Sequence, residues 1–338
     1  MMFPMGLEPR PTEEGLWRMV LAVQRGLIEP EELEHLTEYP ELPEDLTAEE
    51  SAQSLAYDAY DYLPQYWKNA RNIAEEALQL DPECVDALLC LWSLEGEGSN
   101  EALELARRAQ ESAEKKIARL PHWRRGIDDL WSHEPGCRGF VRAHAALAFT
   151  LRARGENREG NAMAERVISL NPTDNTGMRW HLVNWYLIDG AVRRAYRLLR
   201  DYPDEPFTVS LSAVALVEFL RSGPGKNAHR ALMEAMEQNA ALIALALVTR
   251  RADAPPPEVD AFTIGDVTET ALWQRLLWDA WDAHPEAKEW AAEIVEHPDN
   301  VERTLGFMLN IAEQLGVLDA NGLDGLLDLL GEDQEDER

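Results

Sequence analysis

The sequence predicts an all-α protein built as an array of helical hairpins. Three observations carry that prediction. Strand signals are nearly absent: no long β-branched run shows alternating polarity, and no Asn-Gly turn joins two such runs. Apolar residues recur instead three and four apart, as in Ala70, Ile73, Ala74, Ala77 and Leu80, the spacing of one helix face. A pattern of small residues returns at intervals of 32 to 35 residues, and a helical chain with such a period is a stack of hairpins.

From the start of the chain, residues 1–46 hold two short helices, at about 12–25 and 30–38, forming an N-terminal cap. The first opens at Thr12, an N-cap followed by Glu13 and Glu14, and closes at Gly26. The opening MMFPMGLEPRPTEEG has neither the basic region nor the long apolar stretch of a secretory signal. No run in the chain approaches the ~18 apolar residues a membrane helix needs.

Residues 47–252 carry the repeat. Ala70, Ala74, Ala77 and Pro82 stand at offsets 0, 4, 7 and 12, and Gly160, Ala164, Val167 and Pro172 repeat them. Ala228, Leu232, Ala235 and Ala240 keep the spacing without the proline, and Ala102, Ala106 and Ala109 keep its first part. Gly155, Gly190 and Gly223 each precede a small residue (Gly160, Ala195, Ala228) by five positions. The anchors fall at 70, 102, 160, 195 and 228, so three of the four gaps match the 34-residue tetratricopeptide hairpin. Small side chains on the second helix let its neighbours approach, glycine makes the turn and proline ends the helix. The long gap between 102 and 160 holds an insertion at 110–138: a second helix running to about 120, then the Trp-, His- and Arg-rich loop 121–138. That loop either covers one end of the helix pair or faces a ligand. DAPPPEVD at 253–260 breaks the helical pattern. Beyond it a helical subdomain spans 253–330, with helices near 268–283, 286–296, 300–315 and 322–330, followed by an acidic tail at 331–338.

The stretch LNPTDNTGMRWHLVNWYLIDG (170–190) is more specific than a generic repeat. It resembles the signature of a bacterial tetratricopeptide family related to the eukaryotic suppression-of-tumorigenicity proteins. The matching residues are Leu170, Asn171, Pro172, Asp174, Asn175, Gly177 and Arg179. Segments at 42–53, 76–87 and 230–242, and the step from Gly265 and Asp266 to Trp273, are similar in order, so the resemblance covers about 40–290. It implies a tetratricopeptide-like right-handed superhelix, an α-solenoid, acting as an interaction scaffold. It also implies a mainly structural role for Asn171, Pro172, Asp174, Asn175, Gly177 and Arg179, with Arg179 bonded to Asp174 or to a carbonyl in the turn.

Motifs for chemistry are sparse. His122, His133, His144 and His181 show no metal-binding spacing, and DANGLDG at 319–325 lacks the later ligands of a calcium loop. GPGK at 223–226 lacks P-loop spacing. Cys84, Cys90 and Cys137 form no CxxC pair, which fits a reducing, cytoplasmic setting. The sequence therefore predicts no catalytic residue, no metal and no cofactor. Trp273, Trp278, Trp281 and Trp290 either pack the C-terminal helices or form an aromatic shelf for a peptide.

Charge is the strongest functional signal. The 338 residues carry 62 acids against 32 Lys and Arg, a net charge of −30, yet 45% are hydrophobic and 11 are Trp, which excludes a disordered acidic chain. Residues 29–50 hold ten acids and no Lys or Arg. Residues 103–200 hold 18 basic residues against 11 acids, a net of +7. Three readings follow: acidic faces that keep the array soluble, self-association between acidic ends and a basic middle, or a basic groove for an acidic peptide. First helices at about 140–153, 175–188 and 208–221 would line the concave face. They place Arg142, Arg152, His181 and Asn184 there as anchors for a carboxylate or a peptide backbone. The expected function is a non-catalytic, cytoplasmic scaffold or adaptor for a protein or peptide partner, basic or with an acidic tail. It would be a monomer or homodimer, with no membrane and no direct nucleic-acid contact. The alternative is an acidic nucleic-acid mimic that occupies a basic nucleic-acid-binding protein.

Overall fold

A computed structural model describes residues 11–119 except 64, 135–239 except 204, and 263–295 except 266, together with 9, 297 and 300. The described residues form thirteen α-helices and no strand. The chain divides into two compact units, Met1–Leu182 and Val183–Arg338.

The first unit holds α1 (Pro11–Gln24), α2 (Ala48–Tyr62), α3 (Trp67–Leu80), α4 (Val85–Ser93), α5 (Asn100–Ile117), α6 (Pro135–Ala153) and α7 (Asn157–Leu170). The division falls within α8 (Met178–Ile188). The second unit continues with α9 (Val192–Asp201), α10 (Thr208–Ser222), α11 (Lys226–Gln238), α12 (Val267–Asp282) and α13 (Pro285–Val295).

Local chemistry explains where the helices begin and end. Thr47 caps α2 by accepting the Glu50 N–H, while Glu50 accepts the Thr47 N–H in return at 2.7 Å. Ser99 accepts the Ala102 N–H at the start of α5. At Gly26, Gly155 and Gly190 the backbone turns left-handed, with φ near 70°. The following amide there reaches back five residues: Leu27 to Ala22, Glu156 to Leu151 and Ala191 to Tyr186. This C-terminal closure needs a glycine at its left-handed position.

All five small-residue anchors are buried, on α3, α5, α7, α9 and α11. Ala70, Ala74 and Ala77 of α3 are fully buried, as are Ala106 and Ala109 of α5, Ala164 and Val167 of α7, Ala195 of α9, and Leu232 and Ala235 of α11. Packing follows the order of the chain. In the first unit α2 packs on α3, α4 on α5 and α6 on α7, and the first helices also meet each other, α2 with α4 and α4 with α6. In the second unit α10 packs on α11 and also on α12, as one first helix meets the next. α12 and α13 meet each other, and both touch α10. Ala287 and Ala291 are fully buried on α13, four apart like the earlier anchors.

α4 sits at the centre of the first unit, and every one of its residues is buried. Trp92 donates from Nε1 to Thr150 Oγ1 at 2.8 Å, tying α4 to α6. Tyr60 of α2 donates to the Asp86 carbonyl at 3.2 Å.

Some expected boundaries shift. The helix expected at 30–38 is a short 3-10 helix over Pro30–His35. Its acids repel one another and Pro40 follows, so it stays at six residues. The helix expected to reach 120 ends at Ile117, and residues 135–138, expected in a loop, are the first turn of α6. Residues 120–134, 253–260, 300–315 (apart from Asn300), DANGLDG, 322–330 and the tail 331–338 lie outside the described residues.

Candidate functional site

The chemistry that stands out is a charged cluster inside the first unit. α6 is apolar around one cation, and α4 is apolar around one anion: Arg142 in FVRAHAALAF and Asp86 in VDALLCLW. The fold brings them together. Arg142 is 0% exposed, and its Nη2 donates to Asp86 Oδ1 at 2.7 Å, with Nε to the same oxygen at 3.2 Å. Its Nη1 donates to Glu13 Oε2 at 2.9 Å, and Nη2 lies 2.8 Å from Glu13 Oε1 as an ion pair off the hydrogen-bonding direction. Gln53 of α2 donates to the other Asp86 oxygen at 2.8 Å. Arg138, one turn before Arg142, is 3.6 Å from Glu13. Two guanidinium groups thus face two carboxylates, and the cluster is neutral in sum, the condition for burying charge.

Burial acts against the cation, but Asp86 and then Glu13 outweigh it and hold the Arg142 pKa well above its ordinary range. Burial, reinforced by Asp86 and Glu13, raises the phenol of Tyr57; burial and Asp86 raise that of Tyr60.

Glu13 comes from α1, so α1 lies against the face made by α2, α4 and α6. Its Trp17 ring packs 5.7 Å from Tyr57 of α2, and Leu21 and Ala22 are buried. Beside it a cleft of roughly 430 Å³ stays open, lined by Trp17, Val20 and Gln24 of α1 and by Gln53, Val85 and Phe140 opposite.

The four expected groove residues have different surroundings. Arg142 is enclosed by Asp86 and Glu13, so a partner cannot reach it while α1 is in place. Arg152, ten residues further along α6, is half-buried over Gly160, where a side chain would collide with it, and is 3.4 Å from Asn161 Oδ1. His181 is half-buried, its ring edge-on to Phe149 of α6 at 4.7 Å. Asn184 belongs to the second unit, where it is buried and its Oδ1 accepts the Ala280 N–H at 3.0 Å.

The signature residues build a turn. Asp174 is the one described non-glycine residue with positive φ, 48°, a conformation that Asp tolerates better than most. Its carboxylate accepts the backbone N–H groups of Met178 and Arg179 and the Thr176 hydroxyl. Arg179 Nη1 donates to it at 2.9 Å, the expected pairing. Asn175 donates to Asn171 Oδ1 and to Thr173 Oγ1. Gly177 turns left-handed beneath the Trp180 ring. Pro172 is exposed. Asp174 thus caps α8, whose free N-terminal amides attract negative charge.

Elsewhere in the first unit, His144 is buried with Nδ1 2.8 Å from the Phe140 carbonyl, which fixes the proton on Nδ1. Its Nε2 lies 3.5 Å from Glu114. Cys84, Cys90 and Cys137 are buried free thiols, and burial raises Cys84 and Cys90 to about 12. In the second unit Trp273 and Trp281 are fully buried, and Trp273 donates to Ser212 Oγ at 2.7 Å. Trp290 packs on Phe219, and Trp278, half-buried, sits edge-on to Trp273. Among the described residues no group of three or more His, Cys, Asp or Glu is placed to hold a metal ion. No helix among them is long and apolar enough to cross a membrane.

Sequence reasoning missed the partners of Arg142. The signal was present: an Arg inside the apolar stretch FVRAHAALAF and an Asp inside VDALLCLW must find each other or another charge when buried. No protein-family model matches the chain, and no curated protein matches it.

Proposed function

We propose that this chain is a non-catalytic scaffold or adaptor of the tetratricopeptide type. Its hairpins wind into a right-handed superhelix, and a peptide or protein partner binds the concave surface lined by first helices. The observation that carries the reading is the order of helix contacts. First helices meet one another as well as their own second helices, α2 with α4 and α4 with α6 in one unit, α10 with α12 in the other. Such a series buries its small residues along the second helices and leaves a continuous row of first helices as binding surface. Arg152 and His181 are the anchor candidates on that row that are partly open to solvent, and both suit a carboxylate from an acidic peptide. Three reduced cysteines support a cytoplasmic setting. The partner is to be isolated by affinity capture from native lysate and its affinity measured against the Arg152→Glu chain. A tenfold or greater loss supports the reading; unchanged affinity sinks the groove assignment.

A second reading has its own observation. The acidic run at 29–50 is largely exposed: Glu29, Glu31, Glu32, Glu38, Glu41, Glu44, Asp45 and Glu49 all face solvent. Such a surface suits a mimic of nucleic acid that occupies a basic protein. Capture of basic proteins that DNA displaces and high salt releases supports it, and binding indifferent to salt removes it.

A further inference from the structure

We propose that the exposed face of α9 is a docking surface for a short acidic segment of a partner protein, held by Arg193, Arg197 and Arg200. The inference goes beyond the scaffold reading, because it assigns a second surface that uses neither Arg152 nor His181.

The geometry follows from helix spacing. Ala195 is the buried residue of α9. At about 100° per residue, Arg193, Arg197 and Arg200 fall within an arc of about 60° on the side opposite Ala195. All three are exposed. They span about 10 Å along the helix axis. Tyr196 borders this stripe and carries two guanidinium groups on its ring, Arg200 at 5.8 Å and Arg221 of α10 at 3.9 Å. On the other flank Arg194 lies over the Tyr186 ring at 4.9 Å. Stacking uses the face of a guanidinium and leaves N–H groups at its edge for a carboxylate.

The stripe departs from the rest of the chain, whose net charge is −30. Other helices mix signs on their exposed sides: α3 has Lys68 with Glu75 and Glu76, α7 has Arg158 with Glu159, and α11 has Arg230 with Glu234. α9 exposes four arginines and one acid, Asp201, at its last residue. Among the described residues no acid forms an ion pair with Arg193, Arg197 or Arg200, and Glu218 is taken by Arg221 at 2.9 Å. Like charges four and three apart weaken a helix. Arg193 and Arg194 also sit in the first turn, where the positive end of the helix disfavours cations. The bare stripe thus destabilises α9, and an acidic partner relieves the repulsion.

The size of the patch selects the anion. Acids four and three apart on a partner helix would meet the three arginines in register. At physiological ionic strength charges are screened beyond about 8 Å. A short acidic segment therefore meets the arginines and little of the remaining negative surface. A nucleic acid or an anionic bilayer spreads its charge well past one helix face and meets that negative surface too.

The test measures binding of a labelled peptide of six glutamates to full-length protein at physiological ionic strength. A thymidine strand of the same length and vesicles containing phosphatidylserine are measured alongside. The peptide should bind the wild-type chain more tightly than either, and added salt should weaken it. The double variant Arg193→Glu, Arg197→Glu should lose at least tenfold. Arg197→Gln, a milder change that covers a failure of the double variant to fold, should lose at least twofold. Arg107→Gln with Arg108→Gln, an exposed pair on α5, should bind as the wild type does. Circular dichroism checks the folding of each chain. No peptide binding to the wild-type chain overturns the proposal, as does binding that survives the α9 substitutions. An equal loss in the α5 variant overturns the assignment to α9, and preference for the strand or the vesicles overturns the choice of partner. These outcomes are independent of the Arg152→Glu experiment, which can fail while the α9 surface stands.

Discussion

Arg142 and Asp86 are 56 positions apart in sequence, yet their side chains meet at 2.7 Å inside the first unit, both shut away from solvent. The pair joins α6 to α4, and Glu13 draws α1 onto them. A buried ion pair of this kind adds little over a well-packed apolar pair, but losing one member leaves the other charge stranded. Arg142→Met should therefore lower stability by about 3–5 kcal/mol in urea unfolding followed by circular dichroism. A cost below about 1 kcal/mol would show that the cluster is hydrated or rearranges.

Asp174 accepts four hydrogen bonds while holding a left-handed backbone. Asp174→Ala removes all four acceptors and places a residue poorly suited to positive φ, so it should cost about 2–3 kcal/mol. Asp174→Asn keeps the backbone preference and part of the bonding and should cost less. Equal losses from both would mean that the backbone conformation, and not the carboxylate, holds the turn.

His144 sets a pH dependence. Burial lowers its pKa from the ordinary 6.5, against the opposing pull of the Phe140 carbonyl and Glu114, with Arg166 adding to the lowering. A base lowered on folding is protonated first in the unfolded chain. Its contribution is full above pH 6.5 and is lost as the pH falls through the folded value. Unfolding free energy of the wild-type chain should decline below pH 6.5 more steeply than that of His144→Asn. Parallel curves would remove His144 as the cause.

The three cysteines are buried, and burial raises the thiols of Cys84 and Cys90 to about 12, so thiolate is scarce at neutral pH. Folded protein at pH 8 should leave all three unreacted towards a thiol reagent over minutes, and denaturant should release all three together. Early labelling of one cysteine would show local opening of its helix.

Much of the fold was legible because small residues that must be buried and glycines that must turn left-handed leave a fixed trace. Ala70, Ala102, Gly160, Ala195 and Ala228 each mark a second helix, and Gly155 and Gly190 each close a first one. Ala287 and Ala291 of α13, four apart and fully buried, carry a similar spacing of small residues. The site was less legible. Repeat register places a residue on a first helix, but it does not reveal what else lies against that face. Arg142 is on the expected helix and faces Glu13, 129 positions earlier, which no local pattern connects to it. Asn184 was expected to meet a ligand and instead receives the Ala280 amide, again through a distant helix.

The claim that the Arg142 cluster fastens α1 to the first unit through Glu13 is tested most directly by hydrogen exchange of the full-length protein followed by mass spectrometry. Glu13→Gln should accelerate the amides of residues 11–24 while α2, α4 and α6 stay protected. Exchange of residues 11–24 at the wild-type rate in the Glu13→Gln chain would contradict the account.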